Sequence, residues 1–185
     1  MKLKSKISRY LSVILILSLM AFTTSESGIY SFTVKDIDGK DFNMASLKGK
    51  KIMIVNVASK CGYTPQYEEL QALYLKYGGE NFEIIGFPAN DFLKQEPGTN
   101  AEIKQFCTST YEVTFPMMAK ISVKGDEMAP IYKWLTEKSQ NGVEDSKVKW
   151  NFQKYLIDEK GKLVEVLSSG TKPNDEKIIA WLEGK

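Results

Sequence analysis

Histidine is absent from this 185-residue chain. Its absence removes the commonest general base, the commonest metal ligand and the usual partner of a nucleophilic serine or cysteine. Cysteine is scarce: Cys61 and Cys107 are the only two, too few for a cysteine-built zinc site or an iron–sulfur cluster. No metal and no other cofactor is therefore expected. Arginine occurs once, at Arg9, so nearly the whole chain must do without the bidentate guanidinium clamp that holds carboxylates and phosphates. There are no repeats and no low-complexity linker, which together with the length predicts one domain.

Hydrophobic residues make up 43% and charged residues 26%, enough for a real core and an ordinary soluble surface. Residues 1–25 read as a separate unit, a signal peptide or N-terminal membrane anchor. Lys2, Lys4, Lys6 and Arg9 form a basic start, Tyr10 to Phe22 is almost wholly apolar, and small polar residues follow. That is the layout of a secretory leader, and the run is shorter than the ~20 residues of a comfortable span. The expectation is an exported protein of a bacterial periplasm or cell envelope, membrane-bound only through this segment if it is not cleaved. Residues 26–185 then carry 21 basic against 23 acidic residues, a balance with no electrostatic case for nucleic acid.

The rest of the chain alternates strand and helix signals. A hairpin is expected over Tyr30–Val34 and Lys40–Asn43 around Asp38-Gly39. Lys51–Val57 reads as a buried strand. A helix follows, capped by Thr64, with Pro65 in its first turn and Gly78-Gly79 at its end. Phe82–Phe87 is a second buried strand, and Thr99-x-x-Glu102 is a capping box opening a helix that carries Cys107. A strand near Phe115–Val123, a short helix near Pro130–Lys138, a strand pair over Phe152–Asp158 and Lys162–Leu167, and a final helix Asp175–Leu182 capped by Asn174 complete the pattern. This order is that of an α/β thioredoxin-like fold, a central mixed sheet flanked by helices.

Cys61 falls between the first buried strand and the first helix, near the positive end of a helix, where unpaired N–H groups favour a thiolate. Position alone leaves two readings open, a reactive nucleophile and an inert buried thiol. Cys61-Gly-Tyr-Thr64 has no second cysteine, which excludes dithiol exchange within that motif.

Asn56-Val-Ala-Ser-Lys-Cys-Gly-Tyr-Thr64 resembles the active-site block of the glutathione peroxidase family. Gly86-Phe-Pro-Ala-Asn-Asp-Phe92 with Gln95-Glu-Pro-Gly98, Glu102-Ile-Lys-Gln-Phe-Cys107, Thr114-Phe-Pro116 and Trp150-Asn-Phe152 resemble further family blocks in the same order. The resemblance implies a peroxidase that reduces hydrogen peroxide and organic or lipid hydroperoxides. It puts Cys61 at the nucleophile, Trp150 and Asn151 at two donors beside it, and Cys107 at the resolving cysteine of the thioredoxin-dependent branch. At the family's catalytic glutamine this chain has Asp91, whose carboxylate opposes a neighbouring thiolate; Gln95 matches a glutamine the family already has. The implied cycle runs through a Cys61 sulfenic acid and a Cys61–Cys107 disulfide, recycled by a thioredoxin-like protein. The scarcity of arginine argues against glutathione, and the short stretch Lys124–Lys149 argues for a monomer. The competing readings are a disulfide-locked binding module of the same fold and a peroxide sensor.

Overall fold

The structure is a computed structural model and describes residues 28–185; the leader expected over residues 1–25 lies outside the described residues. Six strands and five helices follow one another as β1 Thr33–Lys35, β2 Asp41–Asn43, β3 Lys51–Val57, α1 Gln66–Tyr77, β4 Phe82–Pro88, α2 Asn100–Tyr111, α3 Pro130–Thr136, α4 Lys138–Asn141, β5 Lys154–Ile157, β6 Leu163–Leu167 and α5 Glu176–Glu183. Four of the strands form one sheet in the order β4-β3-β5-β6, and β1 and β2 form a separate small hairpin. β3 runs parallel to β4 over seven residue pairs and antiparallel to β5. The sheet is mixed, as the sequence predicts.

Both faces of the sheet are covered, which explains why β3 and β4 read as continuous apolar runs. Ile52 and Ile54 of β3, Ile85 and Phe87 of β4 and Tyr155 and Ile157 of β5 face one core, with Ile131, Tyr132 and Leu135 of α3 laid against them. Met53, Val55 and Val57 of β3, Ile84 of β4 and Leu156 of β5 face the other. There they meet Tyr67, Leu70 and Leu73 of α1, Ile103 and Cys107 of α2 and Ile178 of α5. The two-residue alternation of a pleated strand makes this division. Each large side chain buried in this way stabilises the fold by roughly 1.5–3 kcal/mol. Gly86 of β4 lies where a side chain does not fit, because a Cβ there would sit 2.5 Å from the Met117 sulfur.

Several boundaries differ from the sequence reading, each for a local reason. The hairpin closes over Asp36–Lys40 rather than a two-residue turn, because the Asp36 carboxylate accepts the N–H groups of Asp38 and Lys40. Phe115–Val123 forms no strand; it makes isolated bridges from Met117 to Gly86, Met118 to Asp36 and Ile121 to Ala89. Pro116 supplies only its carbonyl, to Gly86, and a residue without an N–H cannot continue a ladder. The helix expected over Pro130–Lys138 breaks at Glu137, which is extended, and resumes as α4. α5 is capped by Asp175, which accepts the Lys177 N–H, and not by Asn174. Residues 152 and 153 stay outside β5, Phe152 being left-handed at φ 66°.

Candidate active site

The turn that carries Cys61 is built by Thr64. Its hydroxyl donates to the Ala58 carbonyl at 2.8 Å and accepts the Cys61 N–H at 2.9 Å, while its own N–H donates to the Cys61 carbonyl at 3.0 Å. Thr64 therefore closes the Cys61 turn, and the N-cap of α1 falls to Pro65, which makes no side-chain cap. Cys61 is 8% exposed. The Tyr63 N–H donates to its sulfur at 3.4 Å, within the turn that leads into α1.

Trp150 and Asn151 are held by backbone anchors rather than by a regular element. The Asn56 side chain in β3 donates to the Trp150 carbonyl at 3.0 Å, and the Asn56 carbonyl accepts the Phe152 N–H at 2.6 Å. These bonds tie residues 150–152 to the strand that delivers Cys61. The Trp150 ring packs on the core cluster that holds Cys61 and tilts against the Phe92 ring at 5.4 Å between centroids. Asn151 is wholly buried. Its amide NH₂ donates to the Gln95 side-chain oxygen at 2.9 Å, and its own oxygen is buried with no hydrogen-bond partner.

Asp91 is placed otherwise. One carboxylate oxygen accepts the Ser122 hydroxyl at 2.7 Å and the other the Val123 N–H at 2.9 Å. Both oxygens are thus engaged by the segment leading to α3, where the charge also bears on Tyr132 of the opposite core. Asp91 serves that loop, and its carboxylate makes no hydrogen bond to Cys61, Trp150 or Asn151.

Cys107 sits in α2, 2% exposed, in the same core cluster as Cys61; both thiols are free. Burial pushes its thiol up to about 11; the Tyr67 hydroxyl works against that rise and the Glu96 carboxylate adds to it. Such a thiol is not a nucleophile at neutral pH in its resting place. Its helix ends beside it: the carbonyl of Cys107 accepts the N–H groups of Glu112 and Val113, with Glu112 left-handed at φ 53°.

Three residues that the sequence reading left without a role belong to this region. Gln95 bridges Lys60 and Asn151, its carbonyl accepting the Lys60 N–H at 3.0 Å. Glu96 is completely buried, and one of its oxygens accepts the Ser59 hydroxyl at 2.6 Å. Burial raises its carboxyl above the usual range, against the Ser59 hydrogen bonds and the charges of Lys120 and Lys60. Lys154 of β5 is also completely buried. Its ammonium donates to the Gln66 side chain at 2.5 Å and to the carbonyls of Phe152 and Thr171 at 2.8 and 2.6 Å, with that of Ser169 at 3.5 Å. It pins the first residue of α1 to the 150–152 segment. The signal for Gln95 and Glu96 is the Gln95-Glu-Pro-Gly98 run; for Lys154 it is a lone charge in an otherwise apolar strand.

Comparisons with known proteins identify the family and the fold. The glutathione peroxidase family model matches residues 29–136. The chain is 50% identical over 148 residues to a glutathione peroxidase-like peroxiredoxin of Schizosaccharomyces pombe, covering 80% of this chain and 92% of that protein. It is 44% identical over 154 residues to a hydroperoxy fatty acid reductase of Synechocystis, covering 80% and 90%. The crystal structure of T. cruzi GPX1 superposes with a TM-score of 0.64 at 35% identity, over 84% of this chain and 97% of that one. A thioredoxin-family thiol:disulfide interchange protein of Chlorobium tepidum matches the fold at TM-score 0.54 and 22% identity, over 82% and 92%. A thioredoxin-like domain with a single cysteine at the head of its first helix, matched by sequence and by structure to peroxidases of this kind, belongs to the glutathione peroxidase family and is a thiol peroxidase.

Proposed function

We propose that Cys61 is the peroxidatic cysteine and Cys107 the resolving cysteine of a two-cysteine cycle. The observation that carries the first half is the Cys61 turn, where the Tyr63 N–H lies on the sulfur and Thr64 holds the backbone in place. The Cys61 thiolate attacks one oxygen of the hydroperoxide, the O–O bond breaks, and the departing alkoxide or hydroxide leaves as alcohol or water after taking a proton. The sulfur is oxidised by two electrons to sulfenic acid. Trp150 and Asn151 supply N–H donors to the reacting oxygens. Cys107 then attacks the sulfenic sulfur as its own S–H proton leaves; the S–OH bond breaks, the departing hydroxide takes a proton and leaves as water, and a Cys61–Cys107 disulfide forms. A dithiol protein of thioredoxin type returns both electrons by exchange.

Hydrogen peroxide and lipid hydroperoxides are the substrates in this reading, the latter supported by the activity for which the Synechocystis relative is named. The exposed ring of Tyr63, whose N–H lies on the Cys61 sulfur, suits an apolar hydroperoxide. We place the protein in a bacterial envelope as a monomer, on the strength of the basic and apolar residues 1–25 and the short 124–149 stretch.

The test is intact mass and free-thiol count of the reduced protein after one equivalent of hydrogen peroxide, with Cys107→Ser alongside. Loss of both thiols in the wild type and a trapped sulfenic acid in the variant support the cycle. Thiols that survive peroxide overturn it.

A further inference from the structure

The segment Phe92–Glu96 is the only stretch among the described residues hydrogen-bonded both to the backbone beside Cys61 and to the side chain of Asn151. Its path is unusual. Leu93 and Lys94 are both left-handed, at φ 49° and 55°, a conformation that non-glycine residues adopt rarely and hold only where their surroundings impose it. The effect of this double turn is to bring Gln95 back toward the chain that preceded it, with the Gln95 N–H on the Phe92 carbonyl at 3.1 Å. From there its two ends point to two different parts of the site. The main-chain carbonyl receives the N–H of Lys60, the residue before Cys61. The side-chain oxygen receives the amide NH₂ of Asn151 at 2.9 Å.

Asn151 has no other side-chain partner to orient it. It is completely buried, and its own amide oxygen is unpaired. A buried amide with one end satisfied and one end free has its rotation decided by the satisfied end. Removing the Gln95 oxygen leaves both ends without a partner, and the amide is then free to turn about its terminal bond. Asp91 offers no replacement, since Ser122 and Val123 occupy both its oxygens.

We propose that Gln95 is a positioning residue of the peroxidatic centre: its side-chain oxygen fixes the amide of Asn151 while its main chain fixes the turn before Cys61, so that one residue sets the relation between nucleophile and donor. The inference rests on the assignment of Cys61 and Asn151 made above. It adds a residue that touches neither the sulfur nor the peroxide and acts through Asn151.

Two substitutions separate the roles of the two ends of the Gln95 side chain. Gln95→Met keeps the length and the main-chain bond to Lys60 but removes the acceptor. Gln95→Glu keeps an acceptor oxygen at the same reach and removes the NH₂. Both are made in a Cys107→Ser background, and the first-turnover rate constant of Cys61 with hydrogen peroxide is followed by stopped-flow tryptophan fluorescence, each variant at the pH of its own maximum. Gln95→Met is expected to slow the reaction about 30-fold, equivalent to about 2 kcal/mol in the barrier. Gln95→Glu is expected to stay within about fivefold of the parent, because geometry held to well below an ångström is what the step requires. The side-chain amide resonances of Asn151 give a readout independent of rate: the signal expected in the parent and in Gln95→Glu is shifted and loses its protection from exchange in Gln95→Met.

A Gln95→Met variant that reacts at the parental rate overturns the proposal. So does an equal loss in Gln95→Met and Gln95→Glu with the Asn151 signal unchanged, since the NH₂ would then be the group that matters. Should Gln95→Met fail to fold, Gln95→Asn replaces it, its amide being one methylene too short to reach Asn151. Failure of the underlying cycle looks different: peroxide consumption then persists in Cys61→Ser, and no first-turnover phase exists to compare.

Discussion

Lys154 carries the most heavily desolvated charge in the described domain, and replacing it by methionine gives a prediction with a definite sign. Burial pulls its ammonium from 10.5 down to about 7, with the Glu69 carboxylate opposing. That gap of roughly 3.5 pH units corresponds to about 5 kcal/mol, at about 1.4 kcal/mol for each. The unfolded chain keeps this proton up to pH 10.5 and the folded chain gives it up near 7. Between those values the unfolded state binds more protons, so the contribution of Lys154 to stability rises with pH. Below about pH 7 the cost of burying the ammonium is present in full; above about pH 10.5 it is gone.

Lys154→Met removes the titration and leaves the length of the side chain. It also leaves the Gln66 side-chain oxygen and the Phe152 and Thr171 carbonyls short of a donor, each at a cost of about 1–3 kcal/mol. Gain and loss nearly cancel at neutral pH, so the slope, and not the ranking, is the test. Urea unfolding of the two reduced proteins, from about pH 7 to about pH 9.5, should show the wild type gaining about 3 kcal/mol on the variant. Parallel stability curves would refute the reasoning. They would mean that the four oxygens around the ammonium hold it charged across the whole range, so that burial does not dominate.

Two further outcomes follow from local geometry. Leu93→Gly removes a left-handed strain from a residue that is 77% exposed; thermal unfolding should show a gain of about 0.5–1 kcal/mol after the extra backbone entropy of glycine is deducted. Thr64→Val keeps the shape of the side chain but strips the Ala58 carbonyl and the Cys61 N–H of their partner. It should lower stability by about 2–4 kcal/mol in denaturant unfolding, and the pseudo-first-order reaction of Cys61 with excess peroxide should slow as its turn loosens.

Much of this protein is legible from residue order. The apolar runs at Lys51–Val57 and Phe82–Phe87 read as strands covered on both faces, and they pair in parallel, the second extended to Pro88 so that seven residue pairs form. The Thr99-to-Glu102 capping box is present with both of its bonds. Cys61 had to lie between the first strand and the first helix because the signals on either side of it are strong and close. Elements failed where a side chain answered to something distant. Thr64 has every property of a helix cap, yet its hydroxyl is taken by Ala58, six residues back. Phe115–Val123 has strand composition, but Met117, Met118 and Ile121 bridge to three different partners.

The sequence by itself determined where the chemistry could be sought: of two cysteines in separate blocks, one stands ahead of the first helix, and the resemblance of the ordered blocks, not the composition, carries the peroxidase reading. Only the tertiary structure decided which polar groups lie together: Gln95 with Asn151 and Lys60, Asp91 with Ser122 and Val123. Asp91 and Gln95 are four residues apart on one loop, and nothing local distinguishes them. The left-handed pair at Leu93 and Lys94 turns Gln95 onto Asn151, while Ser122 and Val123 draw Asp91 away. Lys154 reads as an intruder in an apolar strand until the Gln66 side chain, 88 residues away, and the Ser169 and Thr171 carbonyls close around it. Hydrogen-bond partners far apart in sequence are set by how the layers pack, and no spacing rule along the chain encodes them.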